Sequence, residues 1–518
     1  MGRSTTYLSK ALMFSWQCRE NIRDSIYRAR LISGCLTLLF LPELTKGNNL
    51  QISDLQLIAP DRISLEISWE NSWNLPDTTA PGNHDAIWLF VKWSNAGGPW
   101  THVQIDPDSS LYTSSSLLDL TPSSDGIGIM IRRSAFGSGD ILSQPIELAL
   151  SQSITGTMFE LSVFGIEMVY VPEGSFFLGD AQQFHHFREE SSGNPFLVSS
   201  AGSMSGLSAG DSIPIPPMIP DSFPNGYEGF YLMKYEITQD QYCDFLNTLE
   251  YDQQASRTAI SPSQLVGNWA MTTFGPFRNR IVIRQSGSPP NQSAVYGMDR
   301  QGNGVFNESD DGGNRAASYL TWHDVAAYLD WAGLRPMTEL EFEKACRGPA
   351  APLGGEFAWG TASVIDANTV VMNGSSLESV SEVSTSNAGL ASHGYFGPSG
   401  PLRSGFGGAD SSSRLQLGAG YYGCAELSGN LWETCVSLNQ SGIGFTGESG
   451  DGLLSPIGEA NQASWPSVEG AIVRGGAHNS GITGPYRDLA ISDRFYADLV
   501  PNARRNTTGG RGAITLNP

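Results

Sequence analysis

From Gly348 to the C-terminus the sequence contains no stretch with the apolar spacing of a good helix. It is rich in Gly and Ser, with scattered Trp, Arg and Asn. Irregular connections of that length are uncommon in compact domains. The segment therefore calls for a fold whose loops are ordered by hydrogen bonds from side chains to backbone. The composition allows this: Gly 59 and Pro 29 supply turns, and 40% hydrophobic residues supply a core. Charged residues make up only 16%, well below the ~25% usual in soluble domains.

The formal net charge is -22. Nucleic acid and anionic membranes both attract a basic face, so neither is expected as a nonspecific partner. No Gly period, heptad run or apolar stretch of ~20 residues occurs, which excludes collagen-like, coiled-coil and multi-span membrane classes. Six cysteines occur, at 18, 35, 243, 346, 424 and 435. None forms CxxC or a zinc-finger spacing with His. Cys424 and Cys435 could bridge, as could other pairs; small buried thiols are the alternative.

Residues 31–41, LISGCLTLLFL, follow Arg28 and Arg30. The run suits the apolar centre of a signal peptide and is too short for a membrane span. A lipidation signal ends at its cysteine, whereas here the apolar run continues past Cys35, so lipidation is not expected. The expectation is a secreted, periplasmic or cell-surface protein with no transmembrane span. A buried or disordered N-terminal segment is the other reading of residues 1–46.

Residues 47–165 have a different texture. ISLEISW (63–69) alternates apolar and polar residues, and AIWLFVKW (86–93) is β-branched and aromatic. GIGIMI (126–131), PIELAL (145–150) and TMFELSVFGIEMVYVP (157–172) continue the series, with turn clusters between them. Short strands at this spacing predict an all-β sandwich of immunoglobulin-like type. His84 and His102 stand alone near loop-like sequence and are expected at the solvated surface.

From residue 166 helical patterns enter. Thr238 precedes QDQYCDFLNTL, with Tyr242, Phe245, Leu246 and Leu249 on one stripe. Thr321 precedes WHDVAAYLDW, and Asp324 completes an acidic variant of the capping box. Thr338 opens TELEFEKACRG. Glu236, Arg335, Glu339, Glu343 and Arg347 stand beside aromatic residues, where charges are usually paired anchors. Trp322, Trp331, Trp359 and Trp432 are expected in the core, and Gly429 and Asn430 in a turn needing positive φ.

Seven segments in order then resemble one family. They are VYVPEGSFFLGD (169–180), GFYLMKYEITQDQYCDFLNTL (229–249), SYLTWHDVAAYLDWAGLRPMTELEFEKACRG (318–348), FAWG (357–360), LSGNLWE (427–433), VRGGAHNS (473–480) and GGRGAI (509–514). Together they resemble the formylglycine-generating enzyme, or sulfatase-modifying factor, family. The resemblance implies that residues 166–518 form an α+β, C-type-lectin-like domain with long irregular loops. The sandwich lies outside it.

In that family two cysteines just after the RGGS segment bind Cu(I) and run O₂-dependent oxidation of a substrate cysteine. Soft thiolates are what Cu(I) requires. Residues 474–511 contain no cysteine. The expected positions fall near Ser480 and at 484–486. Copper is therefore not expected, and no catalytic residue is assigned. A hydrolase set of His478, Ser480 and Asp488 or Asp493 has no sign of convergent geometry in the sequence. His185 and His186 are adjacent, and adjacent side chains seldom form a metal site alone.

The same stretch holds the ligand-groove candidates: Arg474, His478, Asn479, Ser480, Tyr486, Arg487 and Arg494. The arginines fit equally well as anchors tied to internal carboxylates and carbonyls. The resemblance also implies structural calcium, with Asn368 and the Thr369 carbonyl at one position and Asn430, the Leu431 carbonyl and Glu433 at another. Irregular loops readily supply the six to eight oxygens that calcium takes. The functional expectation is an exported, non-catalytic binding or structural module for a protein or glycan ligand. The alternative is a formylglycine-generating oxidoreductase acting on a sulfatase-type cysteine.

Overall fold

The computed structural model describes residues 28–32, 49–95, 97–156, 158–180, 185–210, 213–394, 397–408, 413–482, 487–497 and 499–516. The chain is mostly sheet with few helices, and its N-terminal region is all-β. Ten strands open it: β1 (Arg28–Ile32), β2 (Gln51–Ala59), β3 (Arg62–Asn74), β4 (Asp85–Asn95), β5 (Trp100–Val103), β6 (Thr113–Ser114), β7 (Leu118–Pro122), β8 (Ile129–Arg133), β9 (Gly137–Ala149) and β10 (Phe159–Val171). One sheet has the order β2-β3-β9-β6. A second contains β10-β4-β8-β7, with β1 on β10 and β5 on β4.

This second sheet does not stop at the N-terminal region. Met168–Val171 of β10 pair with the strand Phe230–Met233. That strand pairs with Gly512–Ile514, which pairs with Arg335–Pro336. The boundary expected between residues 165 and 166 thus falls inside β10, a strand common to both halves.

Side chains alternate across a strand, and here the alternation serves two cores. Ile87, Leu89 and Val91 of β4 pack with Ile63, Leu65, Ile67 and Trp69 between the two sheets. Ala86, Trp88 and Phe90 pack on the other face with Tyr242, Phe245, Tyr328 and Trp331. Burial on both faces explains why β4 reads as a continuous apolar run.

Of the helices described in the second half, four are longer than one turn: α1 (Gln239–Asn247), α2 (Tyr251–Arg257), α3 (Trp322–Trp331) and α4 (Glu339–Arg347). Thr238, Thr321 and Thr338 each form a capping box, with Gln241, Asp324 and Glu341 as reciprocal partners. The boxes satisfy backbone N–H groups that a helix start leaves open. The sequence reading did not foresee α2, nor the one-turn helix Arg414–Leu417. Trp322, Trp331, Trp359 and Trp432 are all buried, and Gly429 and Asn430 take φ of 93 and 63.

The two histidines expected at the surface are not there. His84 is buried, 2.9 Å from Tyr231 Oη and stacked on Tyr170. Burial and the nearby Arg132 hold its pKa at about 3. His102 Nε2 lies 2.6 Å from the Ile127 carbonyl, and burial lowers its pKa well below the usual value. The reason is the junction itself: Asn83, next to His84, donates to the Tyr170 and Tyr422 carbonyls at 2.9 and 2.8 Å, tying the turn to the second half.

Of the apolar run 31–41, Leu31 and Ile32 lie in β1; residues 33–41, Cys18 and Cys35 lie outside the described residues. Among the described residues no helix is long and apolar enough to cross a membrane.

Candidate functional site

The site region is built on α4. Glu339 and Glu343 stand one turn apart and face the strand Ala471–Arg474. Arg474 bridges them, with Nη1 donating to Glu339 at 3.0 Å and Nη2 to Glu343 at 2.8 Å. Nη2 also donates to the Ile491 carbonyl at 2.6 Å. Arg494 Nε lies 3.1 Å from Glu339, its guanidinium 4.1 Å from the centre of the Phe187 ring. Arg347 donates to Glu343 at 3.3 Å and to Ser492 Oγ at 2.8 Å. These side chains are fully buried. Arg474 and Arg494 therefore line no groove; they anchor the C-terminal loops to α4. Arg335 is a further anchor, donating to Glu341 at 2.9 and 2.6 Å.

The loop after Arg474 is set by its own short hydrogen bonds. His478 N donates to the Asn430 carbonyl at 2.8 Å, and Ser480 Oγ accepts from Ala477 N at 2.9 Å. Gly394 N donates to the Ser480 carbonyl at 3.0 Å. The His478 ring is buried, with Nε2 3.3 Å from the Asn506 carbonyl. Burial, then the charge of Arg278, lowers its pKa to about 4. The imidazole is thus neutral and turned to a backbone carbonyl. Ser480 instead engages Asp488, whose pKa burial raises. The hydrolase set is not assembled. Asn479 is exposed at the tip of this loop. Arg487 donates to the Ala362 carbonyl at 3.0 Å and stacks on Phe357. Tyr486 lies outside the described residues.

The two calcium positions differ. Asn430 donates to Glu236 and accepts from Leu402 N at 2.8 Å, and Leu431 N donates to Glu236 at 3.0 Å. Glu433 is held by Arg511 at 2.7 and 2.6 Å. A guanidinium already neutralises Glu433, and Asn430 has both ends of its amide in use. These residues do not fit a metal ion.

Asn368 fits better. Its Oδ1 is buried with no hydrogen-bond partner, as are Asp366 Oδ1 and both His393 ring nitrogens. Two glycines leave the space open: a Cβ on Gly397 would stand 3.0 Å from Asn368 Oδ1, and one on Gly394 3.3 Å from Asp366 Oδ2. Thr369 N donates to both Glu382 oxygens at 3.1 Å, while the Thr369 carbonyl accepts from Ser381 N at 3.0 Å. Asp366, Glu382 and His393 were not singled out from sequence. Asp366 and His393 come together because the parallel pair Ser363–Asp366 and Ala388–Ala391 joins distant loops, while Glu382 is held by the Thr369 N–H. The same loop adjoins the His478 region, since Asn430 N donates to the Ser392 carbonyl at 2.9 Å. Among the described residues no three His, Cys, Asp or Glu side chains converge as a metal cluster.

The four described cysteines, Cys243, Cys346, Cys424 and Cys435, are buried thiols that take no part in a disulfide. The last three belong to one apolar cluster with Phe342, Leu427 and Ile472. Burial pushes the Cys424 thiol up to about 12, and those of Cys346 and Cys435 well above the ordinary value. Such thiols are protonated packing groups, and thiolates are what bind metal.

The site region joins an all-β wall to a loop-rich half pinned by buried Arg–Glu pairs. Residues 165–514 match the family model of the sulfatase-modifying factor enzyme 1-like domain. The chain belongs to that family. No curated protein matches it.

Proposed function

We propose that the chain is a non-catalytic binding module of its family, exported to the cell surface, the periplasm or the medium. In this reading the second half is C-type-lectin-like, and the N-terminal strands form an immunoglobulin-like sandwich fused to it. The observation that carries the proposal is the placement of sulfur. Residues 474–511 hold no cysteine, and the described thiols outside them are buried in the core. Ligand recognition, of a protein or a glycan, falls to the loop around exposed Asn479 and to Arg487.

Titration of the reduced chain with Cu(I) against a Cu(I) chelator tests this. No stoichiometric retention of copper is expected. Retention of one Cu(I) per chain contradicts it and favours the second reading, a formylglycine-generating oxidoreductase, for which family membership speaks.

Calcium belongs to the proposal at the Asn368 position alone. There Asn368 Oδ1 and Asp366 Oδ1, buried without partners, would supply oxygen ligands of the kind calcium takes. Its service would be to tie the 363–394 loops together.

A further inference from the structure

Asn373 and Gly374 lie in the loop between the paired strands Val370–Val371 and Ser379–Val380. Asn373 is exposed. Its Oδ1 accepts from Arg315 Nη2 at 2.7 Å and from Arg278 Nη1 at 3.2 Å. Gly374 is buried, and its N–H donates to Glu378 Oε2 at 2.6 Å. Arg315 Nη2 donates to that same carboxylate oxygen at 2.7 Å. One ion pair thus holds the Asn373 amide oxygen and the next backbone nitrogen side by side. Only glycine fits at 374: its φ is 90, and a Cβ would run into the Asp310 carbonyl and the Arg300 side chain. Gly312 N donates to the Gly374 carbonyl at 2.8 Å and fixes the peptide in place. A missing Cβ also leaves the glycine nitrogen open to a neighbouring side-chain amide.

Two other Asn–Gly pairs occur, Asn225–Gly226 and Asn303–Gly304. In both, Oδ1 accepts a backbone N–H two residues on, from Tyr227 at 2.9 Å and from Val305 at 2.8 Å. Gly304 N also meets a carboxylate, Asp299 at 3.1 Å, but the Asn303 oxygen is held by that uncharged donor. At Asn373 the donors are guanidiniums. Arg278 and Arg315 converge on one carboxylate, Glu378, at 2.5 and 2.7 Å, and on one neutral amide. Burial, then the charge of Arg315, lowers the Arg278 pKa to about 10. Arg300, packed on Gly374, is engaged separately by Asp310 at 2.8 Å. A carboxylate at 373 would give the two guanidiniums a second anion and form charge-assisted bonds in place of neutral ones.

We propose that Asn373 is a self-processing site, at which the Gly374 nitrogen closes on Asn373 Cγ, ammonia leaves, and water opens the resulting succinimide to a carboxylate. The Gly374 N–H proton passes to Glu378 Oε2 as the N–Cγ bond forms. Negative charge gathers on Oδ1, where the two guanidiniums stabilise it as donors stabilise any oxyanion. The Cγ–Nδ2 bond then breaks, and Glu378 returns the proton to the departing nitrogen, which leaves as ammonia from the exposed face. Water adds to Cγ, the carbonyl the guanidiniums polarise. The ring nitrogen regains its proton, and Asn373 has become aspartate. No oxidant is needed, and the inference holds whether or not the chain acts on another protein.

The test keeps the folded full chain at neutral pH, well below its melting temperature, and maps its peptides by mass spectrometry over time. Exchange of amide for hydroxyl is expected at Asn373 at least ~10-fold faster than at Asn225 or Asn303, below the ~10²–10⁴-fold that a positioned base contributes. In urea the three pairs should react alike. Glu378→Gln keeps an acceptor but removes the base, and should slow the step at Asn373 at least ~10-fold. Should that variant disturb the fold, Asn373→Asp is the second: it should melt at a higher temperature than wild type with Asn373 still intact. The proposal is overturned if Asn373 reacts no faster than the two reference pairs, if its lead persists in urea, or if folded Glu378→Gln reacts at the wild-type rate. It is equally overturned if Asn373→Asp melts at or below the temperature of the intact wild type.

Discussion

Trp88 on β4 donates its indole N–H to the carbonyl oxygen of Ala332, just past α3, at 2.8 Å. The bond joins the N-terminal sheet to the helical half at the centre of a common core. Lys92, two residues along the same strand face, donates to the Gly452 carbonyl at 2.6 Å. The first half is therefore a wall of the second.

Trp88→Ala is expected to lower stability by about 3–5 kcal/mol, the range for truncating a buried aromatic side chain. Both halves should unfold in one transition. Urea denaturation followed by tryptophan emission and far-ultraviolet circular dichroism checks this. Two separate transitions, with the second half untouched by the substitution, would contradict the common core.

The Arg474 anchor yields a sharper contrast. Arg474→Leu leaves Glu339 and Glu343 buried without the guanidinium that bridges them. Breaking such a pair destabilises by about 3–5 kcal/mol. Arg487→Leu removes one hydrogen bond to a carbonyl and should cost about 1 kcal/mol. Equal losses in denaturant would mean that Arg474 is not the structural member of the two.

His478 sets a pH dependence. Its pKa in the folded chain is about 4, against 6.5 for the free side chain. Between those values the unfolded chain binds the extra proton, so stability falls as pH drops from 6.5 toward 4. The contribution is on the order of 3–4 kcal/mol at most, at roughly 1.4 kcal/mol per pKa unit. His478→Gln should flatten the stability profile over this window relative to wild type, with His84 still contributing to the remaining slope. Parallel profiles for the two proteins would place the imidazole in solvent.

The calcium proposal has its own readout. Removing calcium with a chelator should lower the melting temperature of wild type but not of Asn368→Leu. Glu433→Gln should leave the chelator effect intact while destabilising the chain through Arg511. An unchanged wild-type melting temperature after chelation ends the proposal.

The local part of this fold was open to sequence reading. Thr321 with Asp324 and Thr338 with Glu341 announce helix starts because a capping box is complete within four residues. Arg335, Glu339 and Glu343 read as anchors for a similar reason: charge set among aromatics. What escaped depends on contacts far along the chain. The continuous apolar run of β4 does not say that Trp88 meets Ala332 while Leu89 meets the other sheet. Nothing local distinguishes Arg474, fully buried against α4, from Arg487, which is partly open to solvent. Asp366, Glu382 and His393 carry no spacing signal, since irregular loops bring them near Asn368. Family motifs located the loop of His478 and Ser480 but not the side-chain directions within it.

The most direct measurement of the central claim uses the reduced, Cu(I)-supplied chain, O₂ and a sulfatase-type peptide with a single cysteine. Mass spectrometry reads whether the thiol becomes an aldehyde. The account predicts an unmodified cysteine over many hours, at wild-type fold. Copper-dependent formation of the aldehyde at more than one turnover per chain would contradict it.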